Sequence, residues 1–312
     1  MEKVFRKILV PVDGSLQSRT AQEMASFLSQ LFESQVTLMH VVSNELTLGG
    51  QTYIPRENYA PISTATGQFP RALSLPRIRE NVLPDEVIRE VTEGFREEGQ
   101  TILEKSASFF SQKDIIVEQK LVEKNDAAEA IITEADSGIY DLVIMGNSGG
   151  EENELDLRLH LGSVAKKVSL AVRIPVLVVR KKTDVRKILI PVDGSAKEDK
   201  ALQKAKMIAK ATGSKVVLLH VQEKSLLKFK SEINEIGLQI LKHASSKMEG
   251  IESENKLLSG DPANVIIQTA KQYDVDLIAM NSGGSGTLKG FFLGSVSDHV
   301  LHHATVPVLL LK

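Results

Sequence analysis

The chain has 312 residues, 38 Lys and Arg against 40 Asp and Glu, and a formal charge of −2 at pH 7. That length suits two domains of ordinary size, and the balanced charge with no basic block argues against nucleic acid as the main partner, because phosphate binding needs clustered cations. The sequence contains no cysteine, which excludes disulfides, thiolate zinc sites and thiol catalysis. No apolar run reaches membrane-spanning length and the first residues show no signal-peptide core, so a cytoplasmic protein with no membrane partner is expected.

The elements read as alternating strands and helices. Ile8 to Val12 is a continuous apolar run ending at Asp13-Gly14, the pattern of a strand buried on both faces of a parallel sheet. A helix follows over Leu16 to Phe32, then a strand over Gln35 to Val42. Further on the pattern predicts a helix over Asp85 to Phe110, a strand over Ile115 to Val122 and a helix over Ala127 to Ser137. A strand over Asp141 to Met145, a helix over Ser163 to Ala171 and a strand over Val176 to Val179 complete the series. Asp126-Ala127-Ala128-Glu129 and Ser195-Ala196-Lys197-Glu198 have capping-box spacing, and Asp261-Pro262 puts proline at a first helical position.

The same order then repeats. Arg6-Lys7-Ile8-Leu9-Val10-Pro11-Val12-Asp13-Gly14-Ser15 returns as Arg186-Lys187-Ile188-Leu189-Ile190-Pro191-Val192-Asp193-Gly194-Ser195, an offset of 180 residues that still holds at His40 and His220. Asp141-Leu142-Val143-Ile144-Met145 returns as Asp276-Leu277-Ile278-Ala279-Met280, where the offset has fallen to 135. The first copy therefore carries 45 extra residues, mostly between Asn44 and Pro84, a stretch that holds five of the ten prolines, together with Tyr53, Tyr59 and Phe69. It reads as an irregular surface flap, with a lid over a ligand as the alternative. The expected domains are 1–182, with the insertion near 44–84, and 183–312.

Five strands alternating with four helices predict an α/β fold: two doubly wound, parallel, five-stranded sheets in tandem, Rossmann-like or flavodoxin-like, each with strand order 3-2-1-4-5. Ligands in such sheets sit outside the carboxyl ends of the strands where the winding reverses, here between the first and fourth strand of each copy. Those strands end at Asp13 and Gly146 in the first copy and at Asp193 and Asn281 in the second. The last strands, Val176–Val179 and Val308–Leu311, are apolar and would be sheet edges, so they are expected to pair with each other and dock the halves as a pseudo-dimer.

Asn281-Ser282-Gly283-Gly284, nine residues and then Gly294-Ser295 follow a buried strand and open a helix, where backbone N–H groups and the helix dipole favour phosphate. With an aspartate ending strand one in both copies, the chain resembles two fused domains of the universal stress protein family. In that family a Val-Asp-x-Ser turn closes the first strand, and the nucleotide loop reads Gly, two residues, Gly, nine residues, Gly-Ser. The resemblance implies an ATP- or AMP-binding module, with or without Mg, that acts in stress response. It places adenine and ribose against Pro191, Val192, Asp193 and Val221, and phosphates along Asn281, Gly284, Gly294, Ser295 and Val296. The matching residues of the first copy are Pro11, Val12, Asp13, Val41, Gly146, Gly149, Gly162, Ser163 and Val164.

Each copy departs from the pattern. The second has Asn281 in place of the first glycine; the first has twelve residues before Gly162, and its loop carries Glu151, Glu152, Glu154 and Asp156. The second copy offers Ser285, Thr287 and Lys289 instead, so nucleotide binding is expected mainly there. Asp13 and Asp193 also fit a purely turn-building role. His40 and His220 read as satisfied core histidines. His299 and His303 lie one helical turn apart without an HExxH context, and no metal site is expected. Gly146-Asn147-Ser148-Gly149-Gly150 fits the nucleophile-elbow pattern, but Asp156 and His160 lie in the same loop rather than on separate strand ends, and the second copy has Gly283 for Ser148. No catalytic residue is expected. Alternatives to a binding module are a slow ATP hydrolase and a nucleotide-free scaffold; a homodimer and an unidentified protein partner are further expectations.

Overall fold

The computed structural model describes residues 4–43, 46–48, 51–53, 85–148, 161–181, 184–195, 198–223, 230–283 and 293–312. In the first half these form β1 (Lys7–Pro11), α1 (Leu16–Phe32), β2 (Gln35–Val42), β3 (Leu46–Leu48), β4 (Gln51–Tyr53), α2 (Asp85–Ser111), β5 (Val117–Glu123), α3 (Ala127–Ala135), β6 (Leu142–Gly146), α4 (Ser163–Ala171) and β7 (Val176–Val179). The second half gives β8 (Lys187–Pro191), α5 (Glu198–Thr212), β9 (Lys215–Glu223), α6 (Lys230–Lys247), β10 (Ser253–Gly260), α7 (Pro262–Gln272), β11 (Leu277–Asn281), α8 (Ser295–His303) and β12 (Val308–Leu311).

The main sheet has ten strands in the order β10-β9-β8-β11-β12-β7-β6-β1-β2-β5. Counted within each half, both read 3-2-1-4-5, and every neighbouring pair inside a half is parallel. The expected pairing of the final strands is present: β7 and β12 run antiparallel with Leu177 opposite Leu309. The inner strands are buried on both sides, which explains their unbroken apolar runs, while the edge strands β5 and β10 are largely half-buried or exposed. Ile8 and Val10 point to one hydrophobic layer and Leu9 to the other. Both layers continue across the junction, Leu177 and Leu309 in one, Val178 and Val308 in the other.

The junction is closed by two basic residues that cross it in opposite directions. Arg180, just after β7, is 6% exposed and donates from Nη2 to the Leu301 carbonyl in the last turn of α8. Lys312, just after β12, donates from Nζ to the Ser169 carbonyl near the end of α4 at 2.8 Å. Cations suit the carbonyl ends of helices. Burial pulls the Arg180 guanidinium down to about 10 and the Lys312 ammonium down to about 8.

Local signals account for several helix starts. The Asp126 carboxylate accepts from the N–H groups of Ala128 and Glu129 to cap α3, and the Asp261 carboxylate accepts from Asn264 ahead of Pro262 to cap α7. Two differences from the sequence reading stand out. The insertion opens with an antiparallel hairpin, Leu46 opposite Tyr53 and Leu48 opposite Gln51; strands of three residues are too short to show a period. The rest of the insertion lies outside the described residues. And Ser195 to Glu198 is no capping box, because the Glu198 carboxylate reaches back beyond Ser195 to the turn after β8.

Candidate functional site

The turn after β1 is built by its own residues. The Asp13 carboxylate oxygen Oδ1 accepts from Ser15 N–H at 3.0 Å and from Ser15 Oγ–H at 2.6 Å. Gly14 sits at φ +80°, in the region that favours glycine. Ser15 Oγ in turn accepts from Ser18 N–H at 3.1 Å and caps α1. The turn after β8 repeats the backbone part of this, with Ser195 N–H donating to Asp193 Oδ1 at 2.9 Å and Gly194 at φ +74°. Turn building thus engages one oxygen of each aspartate.

At the carboxyl ends of β1, β2 and β6 lies a cavity of about 280 Å³. Pro11, Val12 and Asp13 line it from β1 and its turn, Met39, His40 and Val41 from β2, Met145, Gly146 and Ser148 from β6 and beyond. Ala127 and Ile131 of α3 add an apolar wall, Ser18 of α1 a hydroxyl, and Gly162 to Ala165 the start of α4. Eight of the nine first-copy residues singled out from the sequence line this one cavity: Pro11, Val12, Asp13, Val41, Gly146, Gly162, Ser163 and Val164. The ninth, Gly149, lies outside the described residues, as do Gly284, the acidic stretch 151–156 and Ser285, Thr287 and Lys289.

The geometry leaves open positions for a polar ligand. Gly162 N-caps α4 without a side-chain hydrogen bond, so the first-turn N–H groups at Ser163 and Val164 face no capping group. Gly162 N–H itself donates to Asn147 O at 2.6 Å, which fixes the helix start against the end of β6. Ser148 Oγ is buried with no hydrogen-bond partner among the described residues. A Cβ on Gly146 would lie 2.8 Å from the Gln17 carbonyl carbon, so glycine there lets β6 and α1 approach closely. His40 Nδ1–H donates to Val12 O at 2.6 Å, and His220 Nδ1–H to Val192 O at 2.8 Å. The carbonyl can only accept, which assigns the proton to Nδ1 in both. Each ring is packed beside a glycine inside a helix, Gly99 and Gly237, where a Cβ would lie 2.7 and 3.0 Å from the ring.

In the second copy the described site residues hold matching places. Pro191, Val192 and Asp193 end β8, Val221 lies in β9, Asn281 ends β11, and Gly294, Ser295 and Val296 open α8, again with no side-chain cap. Gly294 N–H donates to Ser282 O at 2.9 Å. One residue is different in kind. Where Ser18 accepts from Asp13 N–H at 3.3 Å, Glu198 accepts from Asp193 N–H at 2.6 Å and from Gly194 N–H at 3.3 Å. Glu198 is 5% exposed. Burial pushes its carboxyl up to about 7, the nearby Asp193 charge adds to that, and the turn N–H groups and His243 oppose it. Sequence reasoning missed this pair, although the ungapped offset of 180 residues sets Ser18 directly against Glu198.

Among the described residues no group of three or more His, Asp or Glu could hold a metal, and no helix is long and apolar enough to cross a membrane. His299 and His303 stack with ring centroids 4.2 Å apart.

The fold is a tandem α/β protein, two doubly wound parallel halves joined edge to edge. The model of the universal stress protein family matches residues 5–65, 72–180 and 184–312, and the chain belongs to that family. A universal stress protein of Bacillus subtilis, YxiE, is 32% identical over 145 residues, 40% of this chain and 98% of the relative. A universal stress protein of Mycolicibacterium smegmatis is 24% identical over 319 aligned residues, 98% of this chain and 96% of the other. The crystal structure of a universal stress protein from Archaeoglobus fulgidus superposes with a TM-score of 0.65 at 20% identity, covering 100% of this chain and 99% of that one, a likeness of fold.

Proposed function

We propose that this universal stress protein is a regulatory module that binds AMP or ATP in the crevice of its first copy and acts in stress response, with domains at 1–182 and 183–312. The observation that carries the reading is the first-copy cavity, about 280 Å³ and so just below the roughly 300–1,000 Å³ typical of small-molecule sites. Eight residues of the repeated motif converge on it. Val12, Met39, Val41 and Ile131 offer an apolar slot for a base. Asp13 keeps Oδ2 for a ribose hydroxyl, and the α4 start with Ser163 and the Ser148 hydroxyl, which has no partner among the described residues, offers donors to phosphate. Mg would accompany ATP rather than AMP.

The sequence-based preference for the second copy rested on its nine-residue loop spacing, on Ser285, Thr287 and Lys289 with the Gly294-Ser295 helix start, and on the lengthened acidic loop of the first copy; both loops lie outside the described residues. What favours the first copy is Ser18 in place of Glu198. The acidic stretch 151–156 opposes a long polyphosphate, so AMP should bind more tightly than ATP. Catalysis is no part of this reading.

Isothermal titration of the full chain tests it. Asp13→Ala should weaken AMP binding at least tenfold, about 1.4 kcal/mol, and Asp193→Ala should leave it unchanged. The reverse result moves the site to the second copy. Absence of any adenine-nucleotide binding removes the reading.

A further inference from the structure

We propose that Glu198 sets the ligand specificity of the second copy's crevice, holding a carboxylate against the turn after β8 and so barring phosphate-bearing ligands that the serine-lined first copy admits. This rests on the reading of the first-copy crevice as an anionic-nucleotide site.

The two copies are matched in everything the turn itself needs: the aspartate, the positive-φ glycine, the serine N–H closing onto Oδ1, and the histidine behind it. They part at the residue that meets the N–H of that aspartate. In the first copy it is the Ser18 hydroxyl, which also lines the cavity. In the second it is a carboxylate with two acceptor oxygens, Oε1 on Asp193 N–H and Oε2 on Gly194 N–H. Backbone N–H groups at such a turn are what an incoming anion seeks, and here a tethered anion already occupies them.

The helix starts differ accordingly. Ser15 Oγ takes Ser18 N–H as a cap. Glu198 N–H instead donates to Ser195 O at 3.0 Å, so Glu198 gives up the box geometry its spacing suggests and turns its side chain inward. Asp193 lies beside it, so this turn holds two carboxylates where the matching turn of the first copy has one. A ligand bearing phosphate would have to bring further negative charge next to both. The cost falls on charged ligands, so adenosine is not excluded by this means.

Counting bound ATP per full-length chain by isothermal titration at pH 8 tests the proposal. Wild type should bind one equivalent, and Glu198→Gln and Glu198→Ser should each bind two. A gain in Glu198→Ser alone still makes Glu198 the determinant, acting through volume as well as charge. No gain in either variant, or two equivalents already in wild type, overturns the proposal. Wild type binding none while Glu198→Ser binds one supports it and removes the first-copy reading instead. Should the Glu198 variants fail to fold, the opposite exchange decides: Ser18→Glu should weaken first-copy binding at least tenfold, and unchanged affinity overturns the proposal.

Discussion

The two crevices are a controlled experiment made by duplication. Each copy brings together the carboxyl ends of the same three strands and the same Asp-Gly-Ser turn, with the same histidine hydrogen-bonded to a carbonyl at the first strand's end. Among the described residues what differs is small: Ser18 against Glu198, Gly146 against Asn281, Ser148 against Gly283. The shared set is what the fold needs to turn a strand into a helix. The differing set changes charge, room and donors at one point of the crevice, which is where ligand choice is made. Architecture was copied, and the site chemistry was free to diverge.

The strand junction is where the copies depend on each other most, and breaking it has the largest expected effect. Leu309 is 1% exposed and faces Leu177 across the antiparallel pair. Leu309→Ala should cost about 2–5 kcal/mol of unfolding free energy in urea titrations. Because both apolar layers run through the junction, the two halves should lose stability together. A loss below about 1 kcal/mol would mean that each half is stable without the seam.

Glu198 gives the comparison a pH axis. Its folded-state pKa is raised from 4.5 to about 7, so the folded state holds the proton more tightly than the unfolded chain. The resulting stability is fully present below about pH 4.5 and is lost as pH rises through about 7. A tenfold difference in proton affinity between the two states is worth about 1.4 kcal/mol, so up to about 3 kcal/mol is at stake. Asp193 on the same turn and His243 on α6 face the carboxyl, and the latter also pairs with Asp199 at 2.8 Å. Glu198→Gln keeps an acceptor for the turn N–H groups and removes the titration. Urea unfolding of wild type and variant should agree near pH 4.5, with the variant more stable by pH 8. A constant difference across that range would contradict the burial of an ionisable carboxyl there.

How far this was legible in the sequence depends on the scale of the feature. The strand order and the junction could be read because continuous apolar runs such as Ile8 to Val12 and Val176 to Val179 have one physical explanation, burial on both faces. The first-copy cavity could be read because the repeat marked its residues twice. Glu198 could not, since Ser-x-x-Glu before a helix has a local solution, the capping box. The tertiary one prevailed: the free N–H groups of the turn after β8 lie within reach of the same side chain. The hairpin at Leu46–Leu48 and Gln51–Tyr53 escaped for a different reason, its strands being shorter than any pattern that could announce them.

Gly146 against Asn281 tests whether the copies differ in room as well as charge. A methyl at 146 would press on the Gln17 backbone at 2.8 Å, and backbone of a helix cannot rotate aside. Gly146→Ala should therefore destabilise by about 1–3 kcal/mol. Asn281 already carries a Cβ, and its Nδ2 is buried with no partner among the described residues. Asn281→Ala should change stability by less than about 1 kcal/mol in thermal or urea unfolding. Equal losses at the two positions would show that the close approach is common to both copies and says nothing about their ligands.

The smallest expected effect is the most local. Ser148 Oγ lines the first-copy cavity, is buried, and has no hydrogen-bond partner among the described residues. An unsatisfied buried hydroxyl costs stability, so a protein that keeps one gains if a ligand supplies the missing partner. Ser148→Ala should leave the unfolding free energy unchanged or slightly raised, because no hydrogen bond among the described residues is lost. AMP affinity should fall about fivefold, roughly 1 kcal/mol, the net worth of one hydrogen bond. The pairing of results matters more than either alone. Lower affinity with intact stability identifies a hydroxyl held for the ligand. Lower stability with intact affinity would mean that Ser148 serves the turn after β6, and that Gly283 in the second copy is a change of packing with no bearing on what each crevice binds.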